Sequence, residues 1–280
     1  MRPECPATSP ASPAPWPSSE RLAFDLETTG VDPCRDLPVA FALVEARGSE
    51  VAACESSLVD PGRPIPGAAS AVHGITTARA RAEGIPLDRA VAHLVARLLD
   101  ASARKVPVVG MKLDYDLTMV DRCHRRATGR GLEEDGFAGP VLDVLVLDRH
   151  FDPYRKGRRT LSDLCGVYDV TMSCAHDAAA DATAALAVLA AMCERYAELA
   201  AATAADLHRS QVHWHRGWAE SFSVWREQRG QRALRDEDRT WPIAAAASSG
   251  DPGDGGRPSD AGGALDDAAR RRVPAEARGC

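Results

Sequence analysis

Apolar residues come in short runs near the start of the chain, at lengths that are typical of β-strands. The runs cover Leu22–Leu26, Val39–Val44 and Val51–Val59. Gly48 lies between the last two runs, in an Arg-Gly-Ser segment that favours a turn. This pattern predicts a meander of three strands.

A helical period begins after Pro86, a residue type that is favoured at the first position of helices. Apolar residues then recur on one helical face from Leu87 to Leu99. Further along, the sequence predicts a strand at 105–110, a helix at 115–126, a strand at 141–146, a short helix at 161–167, a helix from His176 to about Ala200 and a helix at 204–229. Strands followed by alternating strands and helices predict an α/β fold with a mixed sheet.

Composition divides the 280 residues into four parts. Residues 1–20 are rich in Pro, Ser and Ala, and residues 231–280 are of low complexity, with many Ala, Gly, Asp and Arg. Neither segment has enough large apolar residues to form a core, so both are expected to be disordered tails. Residues 21–200 form the expected main domain, and residues 201–230 form an amphipathic C-terminal helix.

The formal net charge of −6 argues against a protein that holds nucleic acid through a basic surface alone. It is compatible with an enzyme that meets phosphate groups through bound cations, because a metal ion reverses the local field. The eight cysteines are scattered, which predicts reduced thiols in a cytoplasmic protein. No apolar run approaches the roughly 18 residues of a membrane span. The N-terminus also lacks the apolar segment of a signal peptide, so no membrane partner is expected.

Asp25 and Glu27 stand at the end of the first predicted strand, in the segment FDLETTG. Residues two apart on a strand point to the same face, so these carboxylates project side by side. Neighbouring carboxylates raise each other's pKa unless cations lie between them, and Mg²⁺ or Mn²⁺ prefers such oxygen ligands. The alternative is a strand that ends at Gly30 and leaves the two acids in solvent.

Two further acidic segments follow later in the chain. In GMKLDYDLTMV, Asp114 and Asp116 stand where a predicted strand passes into a helix. In HDAAADATAAL, His176 precedes a helix that carries Asp177 and Asp181. Asp177 is placed to cap that helix. Asp181 lies one turn inside it and either faces solvent or points at a metal ion.

The order of these motifs resembles that of the Asp-Glu-Asp-Asp exonucleases of the histidine subtype (DEDDh). That family includes the proofreading epsilon subunit of bacterial DNA polymerase III, RNase T and oligoribonuclease. FDLETTG is similar to the first family motif, YDLTMV to the second and HDAAADATAAL to the third. VHGIT at 72–76 and RTLSDLCGVYDV at 159–170 resemble further family segments. The resemblance extends from about Arg21 to Ala200, and the three motifs in family order are specific together.

The resemblance implies a ribonuclease-H-like α/β fold, with a mixed five-stranded sheet that is flanked by helices and has an antiparallel second strand. It also implies two divalent metal ions, Mg²⁺ or Mn²⁺. The implied metal ligands are the carboxylates of Asp25, Glu27, Asp116 and Asp181. His176 becomes the general base that takes a proton from the attacking water, so all five residues are implied to be catalytic.

For the substrate, the resemblance implies that the backbone around Leu26, Thr28 and Thr29 contacts the 3′-terminal nucleotide. The side chain of Leu26 would then wedge against its base. Asp116 rather than Asp114 is the implied ligand, because it follows an aromatic residue as in the family motif. If this segment is extended, Asp114 points away from Asp116.

The implied reaction is hydrolysis from a 3′ end with release of nucleoside 5′-monophosphates. The leading hypothesis is an exonuclease that acts on single-stranded DNA in proofreading or repair, with a DNA polymerase as an expected partner. The alternative is a 3′–5′ exoribonuclease similar to RNase T or oligoribonuclease, since no motif reads the 2′-hydroxyl. A catalytically inactive nucleic-acid-binding module is disfavoured because all five implied catalytic positions are present.

Other polar residues allow two interpretations. Lys112 stands where many relatives have Asn, and it either contacts a phosphate or faces solvent. The basic segment YRKGRR at 154–159 either binds a nucleic-acid backbone or is a solvated loop. His73 lies near the implied nucleotide pocket, but a histidine that is hydrogen-bonded within a turn explains it equally well. Asp143 and Asp148 fit no family motif and are assigned structural roles.

Aromatic residues recur at helical spacing in the C-terminal helix and predict a face that docks on the main domain or on a partner. These residues are Trp214, Trp218, Phe222 and Trp225. The nearby His213 and His215 face different sides of the helix, and no cysteine completes a cluster with them or His208, so no metal site is expected there.

Overall fold

The three apolar runs near the start of the chain form the three longest strands of a six-stranded sheet. The computed structural model describes residues 16–172 and 176–245. Its strands are β1 (Glu20–Thr28), β2 (Pro38–Arg47), β3 (Glu50–Asp60), β4 (Ile85–Pro86), β5 (Val108–Gly110) and β6 (Val141–Asp143). Its α-helices are α1 (Gly67–His73), α2 (Thr77–Glu83), α3 (Leu87–Ala103), α4 (Leu113–Thr128), α5 (Val144–Phe151), α6 (Leu161–Val167), α7 (Ala178–Arg195), α8 (Ala197–Ala201) and α9 (Ala204–Glu227).

The strand order in the sheet is β4-β3-β2-β1-β5-β6. β2 is antiparallel to β1 and β3, whereas β5 runs parallel to β1 and β6 runs parallel to β5. The expected mixed sheet with an antiparallel second strand is confirmed, but the expected number of five strands is wrong. The extra strand, β4, pairs Ile85 with Val59 and Pro86 with Asp60, and two residues are too few to show an alternating pattern.

The side chains of β1 alternate between two cores on opposite faces of the sheet. Phe24 belongs to the core that includes residues of α3 and α4. Ala23 packs against the alanine-rich face of α7, where Ala182 contributes to the same core. Asp25 and Glu27 follow the alternation of Ala23, so their carboxylates project from the sheet toward the α7 side.

The predicted strand at 141–146 is wrong beyond its first half, because β6 ends at Asp143 and α5 begins at Val144. The Asp143 side chain caps α5 by accepting a hydrogen bond from the Leu145 backbone N–H (2.9 Å). All residues from 141 to 148 are buried, so their apolar run has neither a strand period nor a helix period.

The helix predicted from His176 to about Ala200 is divided into α7 and α8. Tyr196 separates them with extended backbone angles (φ −121°, ψ 95°), and its ring stacks on Phe151 at 5.1 Å. Helical periodicity does not reveal a contact of this kind between distant residues. Helices α1 and α2 were not predicted, and each is only seven residues long.

Structured residues extend past both predicted tail boundaries. At the N-terminal side, Glu20 already belongs to β1 and Trp16 is buried. At the C-terminal side, Trp241 is buried, and the Ala244 backbone N–H donates to Thr118 Oγ1 of α4 (2.8 Å). The boundaries predicted at residues 20 and 231 are therefore wrong, and the remainder of both predicted tails lies outside the described residues.

Helix α9 covers the open edge of β6 with polar side chains. Gln211 is buried, accepts a hydrogen bond from the Asp143 backbone N–H (2.8 Å) and donates to the Val141 carbonyl oxygen (2.9 Å). His208 Nδ1 accepts from the Val141 N–H (3.3 Å). These bonds replace those of a neighbouring strand and hold α9 on the main domain.

The aromatic face of α9 also packs on the main domain, as one of the two interpretations predicted. Trp218 stacks on Phe222, and Phe222 stacks on Trp225, with ring centroids 5.2 and 5.6 Å apart. The Arg149 guanidinium of α5 lies 3.8 Å from the centre of the Trp218 ring. None of the described helices combines the length and apolar character that crossing a membrane requires.

Candidate active site

The carboxyl ends of the parallel strands β1, β5 and β6 meet at one edge of the sheet, and the predicted acidic residues gather there. Asp25 and Glu27 lie on the last part of β1, and Asp116 lies in the first turn of α4, just after β5. Asp181 lies in the first turn of α7, which packs against β1. The charge of Asp25 interacts with those of the other three carboxylates, so the structure brings all four predicted metal ligands together.

His176 reaches the same place from the segment before α7, with a left-handed backbone conformation (φ 63°). One potential ligand atom each from Glu27, His176 and Asp181 lies within 4.8 Å of the other two. The His176 backbone N–H donates to the Asp181 carboxylate, while Asp177 caps α7 as predicted, through the Ala180 N–H (3.0 Å). The structure therefore brings His176 and Asp181 close to Glu27 at the end of β1, and their catalytic and metal-binding roles stay predictions.

Burial raises the pKa of Asp25 well above its ordinary value, and the charges of Asp116, Asp181 and Glu27 raise it further. Burial, followed by the charges of Asp181 and Asp177, raises the pKa of Glu27 to about 7. The pKa of Asp116 is also raised well above its ordinary value, mainly by burial. The protein thus collects negative charge where no described cation neutralises it fully.

This site fits hard divalent cations. Its donors are mostly carboxylate oxygens, which Mg²⁺ and Mn²⁺ prefer, with one imidazole beside them. Asp181 Oδ1 is buried and has no hydrogen-bond partner among the described residues. A buried oxygen without a partner, next to two other potential ligands, is the feature that a bound cation would satisfy.

Two details of β5 and β6 place Asp116 at the site. A Cβ atom at Gly110 would lie 2.7 Å from the Phe24 carbonyl oxygen, so only glycine lets β5 end this close to β1. Asp143 accepts hydrogen bonds from the backbone N–H groups of Lys112 (3.0 Å) and Leu113 (2.9 Å). Burial raises the pKa of Asp143 to about 6. Its carboxylate fixes the start of α4, which confirms the structural role predicted for this acid.

The amino-acid sequence of residues 22–189 matches the family model described as Exonuclease (RNase_T). The chain belongs to this exonuclease family. A PolC-type DNA polymerase III from Lacticaseibacillus paracasei is 28% identical over 170 residues, which cover 60% of this chain and 11% of that protein. A DNA polymerase III subunit epsilon-like protein from Rhodobacter capsulatus is 35% identical over 129 residues, which cover 45% of this chain and 17% of that protein.

Solved structures show the same exonuclease fold. The zinc-bound complex of E. coli exonuclease I with single-stranded DNA has a TM-score of 0.53 and 22% identity, covering 72% of this chain and 44% of that chain. The expected ribonuclease-H-like fold is confirmed by this likeness and by the family match. The chain spans less than a fifth of the two curated relatives and less than half of exonuclease I.

Around the end of β1, side chains hold the backbone that was predicted to contact the 3′-terminal nucleotide. Tyr115 Oη donates to the Gly30 carbonyl oxygen and lies 2.9 Å from Thr28 Oγ1. Thr29 is only 1% exposed, and its hydroxyl donates to Asp36 Oδ1 (2.8 Å). The side chain of Thr29 is therefore turned inward, and its backbone N–H donates to the Leu37 carbonyl oxygen (2.9 Å), so both fix the end of β1.

Leu26, the third predicted substrate-binding residue, belongs to the hydrophobic core and is 7% exposed. Only a small part of its side chain is open to a base. The wedge role of Leu26 and the substrate contacts of Thr28 and Thr29 stay predictions.

His73 is hydrogen-bonded within its own turn, as one interpretation predicted, and it also reaches the end of β1. The Ile75 backbone N–H donates to His73 Nδ1 (3.1 Å), so Nε2 carries the proton and donates to the Thr28 carbonyl oxygen (3.2 Å). Burial lowers the pKa of His73, and the nearby charge of His176 lowers it further. His73 therefore links the turn after α1 to the end of β1. It was not among the predicted site residues.

The second motif is helical at Asp114 and Asp116, and not extended. α4 begins at Leu113, so Asp114 and Asp116 both lie in its first turn, and Asp116 is 5% exposed. The charge of Asp114 raises the pKa of Asp116, and that of Lys112 lowers it. Lys112 adopts a left-handed conformation (φ 60°) directly before α4 and lies close enough to this carboxylate to influence its charge.

The basic segment at 154–159 divides into internal and outward-facing residues. Arg155 Nη2 donates to Asp148 Oδ2 (2.9 Å), and Arg159 forms an ion pair with the same buried carboxylate. Asp148 therefore has the predicted structural role. Lys156 and Arg158 are exposed and are the two cations of this segment that solvent or a ligand can reach.

The raised carboxylate pKa values give the metal-free protein an unusual dependence of stability on pH. The pKa of Glu27 is about 7, above its ordinary 4.5, so the folded state binds more protons than the unfolded state in this interval. We expect the free energy of unfolding to decrease as pH rises from about 4.5 to about 7. Urea unfolding in EDTA across this range measures the effect. Addition of Mg²⁺ or Mn²⁺ should restore stability most strongly above pH 7, and a metal effect of equal size at pH 5 and 8 would contradict it.

Proposed function

We propose that this chain is a metal-dependent 3′–5′ exonuclease that hydrolyses terminal phosphodiester bonds of DNA and releases nucleoside 5′-monophosphates. The observation that carries this proposal is the meeting of four carboxylates and His176 at one edge of the sheet. Membership of the exonuclease family over residues 22–189 supports nuclease chemistry independently of this geometry.

The proposed metal ligands are Asp25, Glu27, Asp116 and Asp181, which hold two ions of Mg²⁺ or Mn²⁺. When bound, such ions would lower the pKa of the attacking water and offset negative charge on the leaving 3′ oxygen. His176 takes the proton of the attacking water on a ring nitrogen. Its imidazole lies beside Glu27 and Asp181 yet is exposed, so it can pass that proton on to solvent.

The 3′-terminal nucleotide is proposed to lie against the end of β1. The inward-turned Thr29 side chain and the Tyr115 hydroxyl fix the backbone of this segment before a substrate arrives. A backbone that is held in this way loses little further conformational freedom when a nucleotide lies against it. The terminal nucleotide then lies next to Asp25 and Glu27. The phosphodiester bond that joins it to the rest of the strand is placed beside these carboxylates.

DNA is the proposed substrate and a DNA polymerase the proposed partner. E. coli exonuclease I, which shares the fold, has been solved as a zinc-bound complex with single-stranded DNA. The curated relatives are named as PolC-type DNA polymerase III and as a subunit epsilon-like protein of DNA polymerase III. These similarities support the proposal that the chain acts on single-stranded 3′ ends of DNA that a polymerase has produced.

The function is tested with purified chain and two single strands of the same base order, one DNA and one RNA, each labelled at the 5′ end. We expect a ladder of DNA products that shortens from the 3′ end in Mg²⁺ or Mn²⁺ and is abolished by EDTA. The matched control is Asp88→Asn, which changes an exposed acid of α3 and should leave the ladder unchanged.

Each outcome separates the hypotheses. A faster ladder on RNA would replace the DNA assignment with the exoribonuclease. Release of 5′-terminal fragments first would overturn the proposed direction. Full-length strand under every metal condition would reject catalysis and favour the nucleic-acid-binding module.

A further inference from the structure

A groove of about 730 Å³ lies on the side of the sheet that α7 covers, away from the catalytic carboxylates. Its walls come from α7, from the turn between β2 and β3 and from the segment that follows α6. The α7 wall extends from Thr183 to Arg195, which is about 18 Å of helix. Its volume is within the usual range of small-molecule sites, about 300–1,000 Å³.

Arg21 lines this groove and has no carboxylate partner. It is 2% exposed, and its one side-chain hydrogen bond to a described residue goes from Nη2 to the Gly48 carbonyl oxygen. Its Nε is buried without a hydrogen-bond partner, and no salt bridge joins Arg21 to the described part of the chain. A buried guanidinium stays charged, so the lack of a counter-ion is unfavourable.

The groups that face Arg21 leave it without an internal counter-ion. Glu20, the preceding residue, forms ion pairs with Arg47 and Arg104 instead. Cys193 interacts electrostatically with Arg21, but burial raises the pKa of its thiol to about 11, so it is neutral at pH 7. Glu194 and Asp169 line the groove as exposed residues, and neither forms a salt bridge with Arg21.

Besides these two acids, the lining contains a second cation and an apolar surface. Arg195 is exposed, lies 5.6 Å from the centre of the Tyr168 ring and has no salt bridge to any residue that the structure describes. Ala187, Ala190 and Ala191 form a smooth wall on α7. Small side chains leave room for an apolar body beside the two arginines.

We propose that this groove binds a small organic anion that carries a carboxylate or phosphate group on an apolar body. The anionic group lies against the Arg21 guanidinium, where charge-assisted hydrogen bonds satisfy the donors that the protein leaves unpaired. The apolar body lies along the alanine wall of α7. Arg195, at the rim of the groove, adds a second positive charge near the anionic group. The groove is a second site, because Arg21 precedes Asp25 by four residues of extended strand, about 13 Å.

The experiment measures calorimetric binding of benzoate, phenyl phosphate and neutral benzamide to the full chain after metal removal on a chelating resin, which keeps metal-dependent binding out of the catalytic site and adds no competing carboxylate. We expect at least one anion to bind about tenfold more tightly than benzamide. Preference between benzoate and phenyl phosphate identifies the anionic group. Equal binding of all three compounds, or no binding of either anion, would overturn the proposal.

Two variants test the location. Arg21→Met removes the guanidinium, and Ala190→Trp fills the groove while it leaves Arg21 in place. Both should weaken anion binding by about tenfold or more. Both should retain nuclease activity, since neither residue belongs to the catalytic machinery. The matched control Arg47→Met removes an exposed arginine outside the groove and should bind as the unchanged chain does.

If Arg21→Met does not fold, Ala190→Trp decides alone. Anion binding that persists at full strength in Ala190→Trp would place the site elsewhere and reject the groove. If the unchanged chain had no nuclease activity, the binding result would still stand. Failure of the second site and failure of the proposed function can therefore be distinguished.

Discussion

Asp25→Asn is expected to lower the rate of exonuclease hydrolysis roughly 10³-fold, equivalent to about 4 kcal/mol of transition-state stabilisation. Asp25 is the carboxylate whose charge interacts with those of Asp116, Asp181 and Glu27, so it lies at the centre of the proposed metal site. Asparagine keeps the shape of the side chain but lacks the negative charge that a divalent cation needs. Single-turnover hydrolysis of labelled single-stranded DNA in saturating Mn²⁺ measures the loss.

The same substitution is expected to stabilise the metal-free protein. Burial and three neighbouring carboxylates raise the pKa of Asp25, so its ionised form opposes folding at pH 7 and above. Removing that charge should raise the melting temperature in EDTA, by more at pH 8 than at pH 5. Asp88→Asn, at an exposed acid of α3, is the control and should change neither activity nor melting temperature. Lower stability of Asp25→Asn at pH 8 would show that its negative charge is balanced within the protein.

Opposite effects on rate and stability would separate a metal ligand from a structural acid. An acid that only maintains the fold loses activity and stability together when it is replaced. When a metal ligand that is held among like charges is replaced, the protein loses activity while its metal-free fold becomes more stable. Asp143 provides the comparison within this chain, because its carboxylate accepts three backbone hydrogen bonds.

The positions of Asp25 and Glu27 could be predicted because strand alternation is local. Once Phe24 is assigned to a core, its neighbours must project from the other face, and the structure places them on the α7 side. Asp181 needed the order of motifs, since an acid among alanines has no local signal of its own. The arrangement of all five predicted catalytic residues at one edge therefore depended on family resemblance as much as on pattern.

The supporting contacts could not be predicted because they join residues that are distant in sequence. The Tyr115 hydroxyl bonds to Gly30, and His73 Nε2 bonds to the carbonyl oxygen of Thr28. Asp148 takes up Arg155 and Arg159, so half of a segment that looked basic is internal. In each case the residue type was visible in the sequence, but its partner was fixed only by the fold.

His176→Ala is the second large effect, with an expected decrease of about 10²–10⁴-fold in kcat and little change in Mn²⁺ affinity. The proposed role of His176 is to take a proton from water, which alanine cannot do. Alanine keeps the backbone N–H that donates to Asp181, so this carboxylate should stay in place. Single-turnover hydrolysis gives the rate, and Mn²⁺ titration gives the affinity.

His213→Ala is the control for His176→Ala, because it removes an exposed imidazole from α9, far along the chain from the site. It should leave both rate and affinity unchanged. A potential ligand atom of His176 lies within 4.8 Å of one in Glu27 and one in Asp181, so His176 could also bind the metal itself. A metal ligand would lose affinity and rate together, whereas a general base loses rate at saturating Mn²⁺. Equal losses in both quantities would therefore reassign His176 from proton acceptor to ligand.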